Sequence, residues 1–204
     1  LPSYVASTEE FNTGVVGGSW ATGGSLNTAR ESLGGTGVST AALAFGGGST
    51  GVNVTELYNG TNWTEVNNLT TARANIQGNG TQTATLAFGG YTGSQTAVTE
   101  LWNGTNWTEV NDLNTARYSP GGAGTSTAGL AFGGAAPVKN ETELWNGTNW
   151  TEVNNLGTAR YGAAGAGTST AALAFGGTAD PPNTALTETW NGTNWTEVND
   201  LNTA

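Results

Sequence analysis

The chain has 204 residues, a formal net charge of −10 at pH 7, only five lysines and arginines together, and no histidine, cysteine or methionine. Disulfides and thiolate metal sites are excluded outright, and so acidic a chain disfavours nucleic acid and anionic membrane, both of which call for a cationic surface. With 33 glycines, about twice the usual share of roughly 7%, the composition argues against a helical protein. No stretch keeps a 3.6-residue apolar period, and no run approaches the roughly 20 apolar residues that a membrane-crossing helix needs. The chain is expected to be soluble and to hold by packing alone. It has no signal-like start, and beginning at Leu1 reads as a processed or excised piece, so localisation stays open.

Residues 8–30 (TEEFNTGVVGGSWATGGSLNTAR) open the chain as a degenerate copy of a phrase that then returns four times. The full copies are 55–73 (TELYNGTNWTEVNNLTTAR), 99–117 (TELWNGTNWTEVNDLNTAR), 142–160 (TELWNGTNWTEVNNLGTAR) and 187–204 (TETWNGTNWTEVNDLNTA). In the first copy Phe11 and Trp20 hold the two aromatic positions, with four extra residues between them. A second phrase, Leu-Ala-Phe-Gly-Gly, ends at Gly47, Gly90, Gly134 and Gly177, and so occurs four times against five. A spacing of 43 to 45 residues marks one supersecondary unit copied along the chain.

Within the unit 118–160, alternation and turn residues predict four short strands at 125–127, 128–132, 141–145 and 149–153, after a glycine-rich approach. Asn146-Gly147 predicts a hairpin with a type I′ turn, whose central residues both take positive φ. An even-numbered loop keeps side-chain parity, so Trp145 and Trp150 share a face, as do Trp102 with Trp107 and Trp190 with Trp195. Each such ring buries on the order of 150–250 Å² and is expected to fill the space between sheets; Trp63 is the counterpart in the first full copy. Side chains grow from Gly, Ala, Ser and Thr in the first two strands to Trp, Leu, Val and Glu in the last two. Blades that crowd an axis and splay outward require that gradient, whereas a uniformly stacked solenoid does not.

A hydrophobic strand ending in Gly-Gly, an aromatic, a Trp a few residues on and an Arg opening the next unit together resemble the kelch repeat. The elements are Gly46-Gly47, Tyr58, Trp63 and Arg73; Gly89-Gly90, Trp102, Trp107 and Arg117; Gly133-Gly134, Trp145, Trp150 and Arg160; and Gly176-Gly177, Trp190 and Trp195. The resemblance covers nearly the whole chain. It implies an all-β propeller of four-stranded antiparallel blades forming one domain over 1–204, with a partial blade at 1–30 and complete blades at 31–73, 74–117, 118–160 and 161–204. Five blades with the first incomplete is the expected arrangement, residues 1–7 supplying one inner strand. The alternative is four blades that close, the half-blade packing on the rim or pairing with another chain. The near-identical copies are also similar to repeat arrays of phage and marine bacterial surface proteins, which implies an extracellular or virion-surface setting.

Each full copy carries two glutamates on the tryptophan face: Glu56 with Glu65, Glu100 with Glu109, Glu143 with Glu152, and Glu188 with Glu197. Paired carboxylates can do acid–base work, but an active site is normally single, whereas a scaffold contact repeats. The expected partners are arginines of adjoining strands or blades, making Arg30, Arg73, Arg117 and Arg160 staples between units. The enzymes known among propellers demand residues this chain lacks or does not group. A copper oxidase of the kelch type needs histidine and a Tyr-Cys crosslink; sialidase-like sites need non-equivalent arginines; five-bladed glycosidases need unique inward acids, and Glu31, Glu141 and Asp180 form no evident group. The Asn-X-Thr sequons at Asn59, Asn62 and their copies read as turn chemistry rather than glycan acceptors.

The copies differ mainly after Gly-Gly and after the Arg, in segments that an up-and-down blade places on one face. Tyr91, Tyr118, Tyr161 and Lys139 stand there as candidate ligand-binding residues. The expectation is a non-enzymatic binding or adhesion module without metal or cofactor, whose partner is a protein or a glycan. It involves neither nucleic acid nor membrane insertion. A structural assembly unit that self-associates through its incomplete blade is the alternative.

Overall fold

A computed structural model describes residues 6, 8–12, 19–179 and 182–203, with backbone alone at 10–12 and 19–22. Eighteen strands form a two-stranded sheet and four four-stranded antiparallel sheets. The small sheet joins β1 (Glu9–Asn12) to β2 (Ser19–Thr22). The first blade comprises β3 (Gly34–Val38), β4 (Ala41–Phe45), β5 (Thr55–Tyr58) and β6 (Trp63–Glu65). The second comprises β7 (Gln77–Thr81), β8 (Ala84–Phe88), β9 (Thr99–Trp102) and β10 (Trp107–Glu109). The third comprises β11 (Gly121–Gly124), β12 (Gly129–Phe132), β13 (Thr142–Trp145) and β14 (Trp150–Val153). The fourth comprises β15 (Ala164–Gly167), β16 (Ala172–Phe175), β17 (Thr187–Trp190) and β18 (Trp195–Val198).

Strands run in sequence order within every blade, and β3, β7, β11 and β15 together line one axial channel of about 400 Å³. The protein is therefore a β-propeller with four complete blades and an N-terminal half-blade, the second of the two arrangements that the sequence allows. The fifth blade is not completed among the described residues: β1 and β2 pair only with each other. Of residues 1–7, expected to supply an inner strand, all but Ala6 lie outside the described residues.

Two local expectations are corrected. The innermost strand of the third blade is Gly121–Gly124, not 125–127. Thr125 and Thr127 belong to the turn that follows, where the Thr125 hydroxyl accepts from the backbone N–H groups of Thr127 and Ala128. Glycine occupies the innermost strand because a Cβ on Gly121 would lie 2.2 Å from the Phe132 ring, so packing overrides the low strand preference of glycine. The β13–β14 loop holds four residues, with Trp145 directly opposite Trp150, and it is not a type I′ turn. Gly147 alone has positive φ, +93°, while the Asn146 carboxamide oxygen accepts from Thr148 and Asn149 N–H at 2.9 Å each.

The same Asx turn recurs at Asn59, Asn103 and Asn191, which gives the sequon asparagines their turn role. Asn103→Ala forfeits both bonds and is expected to cost about 1 kcal/mol, read as a shift in the midpoint of urea unfolding.

Successive blades pack through two unlike faces. One carries the two aromatics, the inner glutamate and the alanines of the second strand; the other carries leucine, phenylalanine, valine and threonine of the blade before. The core clusters follow this rule: Leu43, Phe45 and Leu69 pack on Ala87, Trp102 and Trp107, Leu86, Phe88 and Leu113 on Ala131, Trp145 and Trp150, and Leu130, Phe132 and Leu156 on Ala172, Ala174 and Trp190. At each of these seams phenylalanine meets the outer tryptophan edge-on, with centroids 5.1–5.2 Å apart. That tryptophan's indole N–H donates across the seam to a buried threonine, Trp107 to Thr55, Trp150 to Thr99 and Trp195 to Thr142, at 3.0–3.1 Å. The inner tryptophans Trp102, Trp145 and Trp190 instead donate to Gln82, Ser126 and Ser169 carbonyls in the turns of their own blades.

Candidate functional site

The arginine staples close these seams from the connecting segments. Arg30, Arg73, Arg117 and Arg160 pair with Glu56, Glu100, Glu143 and Glu188 of the blade that follows each arginine. Arg73 and Arg117 sit at 3.1 and 2.7 Å; Arg160 lies 3.0 Å from Glu188, at ion-pair distance but without hydrogen-bond alignment. Burial pushes the guanidinium of Arg73 down to about 10, with Glu100 opposing the shift. The same desolvation lowers Arg117 and Arg160 against their glutamates.

Glu143 is fully used. It accepts from Asn114 N–H at 2.7 Å, Asn114 carboxamide at 2.9 Å, Thr115 N–H at 3.2 Å and Arg117 at 2.7 Å. Each inner glutamate lies directly across from an exposed outer one, Glu56 from Glu65, Glu100 from Glu109, Glu143 from Glu152 and Glu188 from Glu197. Parity thus places each pair as expected, and the inner member is committed to the staple.

The variable loops do meet on one face. The residue after Gly-Gly bridges the residue after the arginine within the same blade: Tyr91 with Ala74, Ala135 with Tyr118, and Thr178 with Tyr161. Around the axis on this face a backbone chain links the blades, Asn75 N–H donating to the Ser32 carbonyl, Ser119 to Asn75 and Gly162 to Ser119, at 2.8–2.9 Å. Ser32, Asn75 and Ser119 hold φ of 50–54° to make it. Non-glycine residues adopt that conformation at a cost on the order of 1–2 kcal/mol, here offset by tying neighbouring blades.

Tyr91 and Tyr118 come together across the seam between the second and third blades, edge to face, with centroids 5.8 Å apart and planes at 74°. Both are half-exposed, as is Tyr161 one blade further on. Tyr161 borders a pocket of about 310 Å³ shared with Thr178, Asn183, Thr184 and Leu201. Lys139 departs from expectation: it is only 8% exposed. Its backbone is clamped between Gly134 and Arg160, so the inter-blade junction withdraws it from the loop surface.

Sequence reading leaves one blade incomplete but does not name the residues uncovered at the two ends of the array. The face that the fourth blade would turn to a next blade is bare: Leu173 is 41% exposed, Val198 41% and Leu201 45%, whereas Leu43, Leu86 and Leu130 are buried. At the other end the outer part of the first blade is covered by the half-blade. Gly24 abuts the Thr61 carbonyl, and Asn27 and Arg30 bond to Glu56. The inner part is a groove of about 410 Å³ lined by Gly35, Val38, Ala42, Ala44 and Trp63, among others. The buried indole N–H of Trp63, alone among the outer tryptophans described, has no acceptor. The signal for this was five tryptophan phrases against four Leu-Ala-Phe-Gly-Gly phrases.

The chain matches no protein-family model and no curated protein.

Proposed function

We propose that this kelch-like propeller is a non-enzymatic binding or adhesion module, working at a cell or virion surface, that presents its variable loops on one face to a glycan or protein. The half-exposed Tyr91–Tyr118 pair carries the reading. Two aromatic edges sit where the copies differ most, above a backbone collar that holds them in place, and flat rings suit sugar faces and peptide side chains. Each inner glutamate is held in an arginine staple, which favours a binding reading over a hydrolytic one. A glycan and peptide array probed with the chain tests this. A specific hit should weaken about tenfold, 1.4 kcal/mol, in the Tyr91→Ala/Tyr118→Ala double variant. Absence of any ligand across both classes, or a ligand indifferent to both tyrosines, refutes it.

The bare apolar face of the fourth blade favours a second reading, a unit that assembles through its incomplete blade. An uncovered set such as Leu173, Val198 and Leu201 is characteristic of a surface with a partner. Sedimentation over a range of concentrations tests it: association weakened by Leu173→Asp supports this reading, and a strict monomer removes it.

A further inference from the structure

We infer that the groove on the inner part of the first blade accepts, in trans, a β-hairpin of the repeat's own inner-strand chemistry: a glycine-rich strand turning into Ala-Leu-Ala-Phe-Gly-Gly. This rests on the second reading above and names what completes the blade.

The other three seams specify the occupant. At each, the phenylalanine closing the second strand of one blade lies on a glycine in the innermost strand of the next. A Cβ on Gly78 would be 2.5 Å from the Phe45 ring, on Gly122 2.9 Å from Phe88, and on Gly165 2.7 Å from Phe132. Gly35 is the same position in the first blade, and among the described residues a Cβ there would meet nothing nearer than the Leu43 carbonyl at 3.7 Å. The space beside Gly35, Ala42, Ala44 and Trp63 is therefore the seat of one absent phenylalanine and its neighbouring leucine.

The outer half of this interface is already in place. Gly24, Asn27 and Arg30 dock on the first blade as residues 67–73 and their copies dock on the next. The groove continues that interface inward, where β1 has a free edge among the described residues. A two-stranded hairpin pairing with β1 extends the small sheet to four strands, as in the other blades, by strand addition. Its leucine and phenylalanine cover Trp63. Its alanines face the fourth blade, where Leu173 and the half-buried Phe175 stand uncovered, just as Ala172 and Ala174 receive Leu130 and Phe132. One hairpin thus accounts for the vacancies at both ends.

The test titrates a synthetic peptide with the sequence of residues 31–47 (ESLGGTGVSTAALAFGG) into the full chain, followed by calorimetry and tryptophan fluorescence. One-to-one binding with a blue-shifted emission is expected. It should weaken at least tenfold when the peptide's phenylalanine is replaced by alanine, and likewise in the protein variants Gly35→Ala, which fills the ring's seat, and Leu173→Asp. Both variants alter positions that are open in the free chain, so their melting temperatures should not fall below the parent's, which separates lost binding from lost folding. Absence of binding, or binding indifferent to both variants, overturns the inference. Self-association that the peptide does not displace also overturns it, while leaving the assembly reading standing.

Discussion

Replacing Glu143 by alanine is expected to destabilise the protein by about 3–5 kcal/mol, because it leaves a fully buried guanidinium without its counter-charge. Arg117 keeps its bonds to the Gly133 and Glu141 carbonyls, but carbonyl dipoles do not neutralise a cation already held below its ordinary protonation range by burial. The substitution also strands the Asn114 and Thr115 backbone N–H groups and leaves the Asn114 carboxamide with the Trp150 carbonyl as its remaining acceptor. Glu152 lies directly opposite on the neighbouring strand and is exposed, so Glu152→Ala should stay within about 0.5 kcal/mol. Replacing Glu143 and Arg117 together with apolar residues should recover much of the loss, since a buried pair is costly to break but not always costly to remove. Equilibrium unfolding in urea measures all three. A loss below about 1 kcal/mol for Glu143→Ala would mean that the staples are not structural.

The second large effect separates equivalent glycines. Gly165→Ala places a methyl 2.2 Å from the Gly122 carbonyl oxygen and 2.7 Å from the Phe132 ring. Because the nearer atom is backbone of the adjacent blade, rotamer adjustment cannot relieve the contact. The expected loss is at the upper end of the usual overpacking range of about 1–3 kcal/mol. Gly35→Ala, the same change at the matching position of the first blade, should be neutral or stabilise by up to about 1 kcal/mol through the unfolded chain, because the nearest atom among the described residues, the Leu43 carbonyl oxygen at 3.7 Å, is at ordinary contact distance. Thermal melts of the two variants decide it. Equal destabilisation would show that the first blade is covered like the others.

The architecture was legible because it repeats. Five tryptophan phrases and four Leu-Ala-Phe-Gly-Gly phrases fix the units, the shared face of Trp145 and Trp150 follows from parity alone, and an arginine recurring beside recurring glutamates announces the staple. What escaped depends on contacts between units. Gly121 to Gly124 looks like a linker until the Phe132 ring is seen to forbid any side chain at Gly121. The turn at Asn146 follows a carboxamide hydrogen bond rather than the dipeptide rule. Lys139 reads as an exposed loop cation, yet its loop is pinned to Arg160 of the connecting segment. Connectivity joins the segments after Gly-Gly and after the Arg, and the bridge between Tyr91 and Ala74 is of that kind. The vacancy at Trp63 lay in the mismatch between the two phrase counts, but its shape emerges only when the other seams show what fills it.

Four blades share one packing rule, broken at a single seam. Hydroxyl-radical footprinting read by mass spectrometry compares the equivalent leucines Leu43, Leu86, Leu130 and Leu173 directly. Strong oxidation of Leu173, with Val198 and Leu201, and protection of the other three are expected of the monomer. Uniform protection of all four leucines in a monomeric sample, or uniform oxidation, would contradict the broken rule.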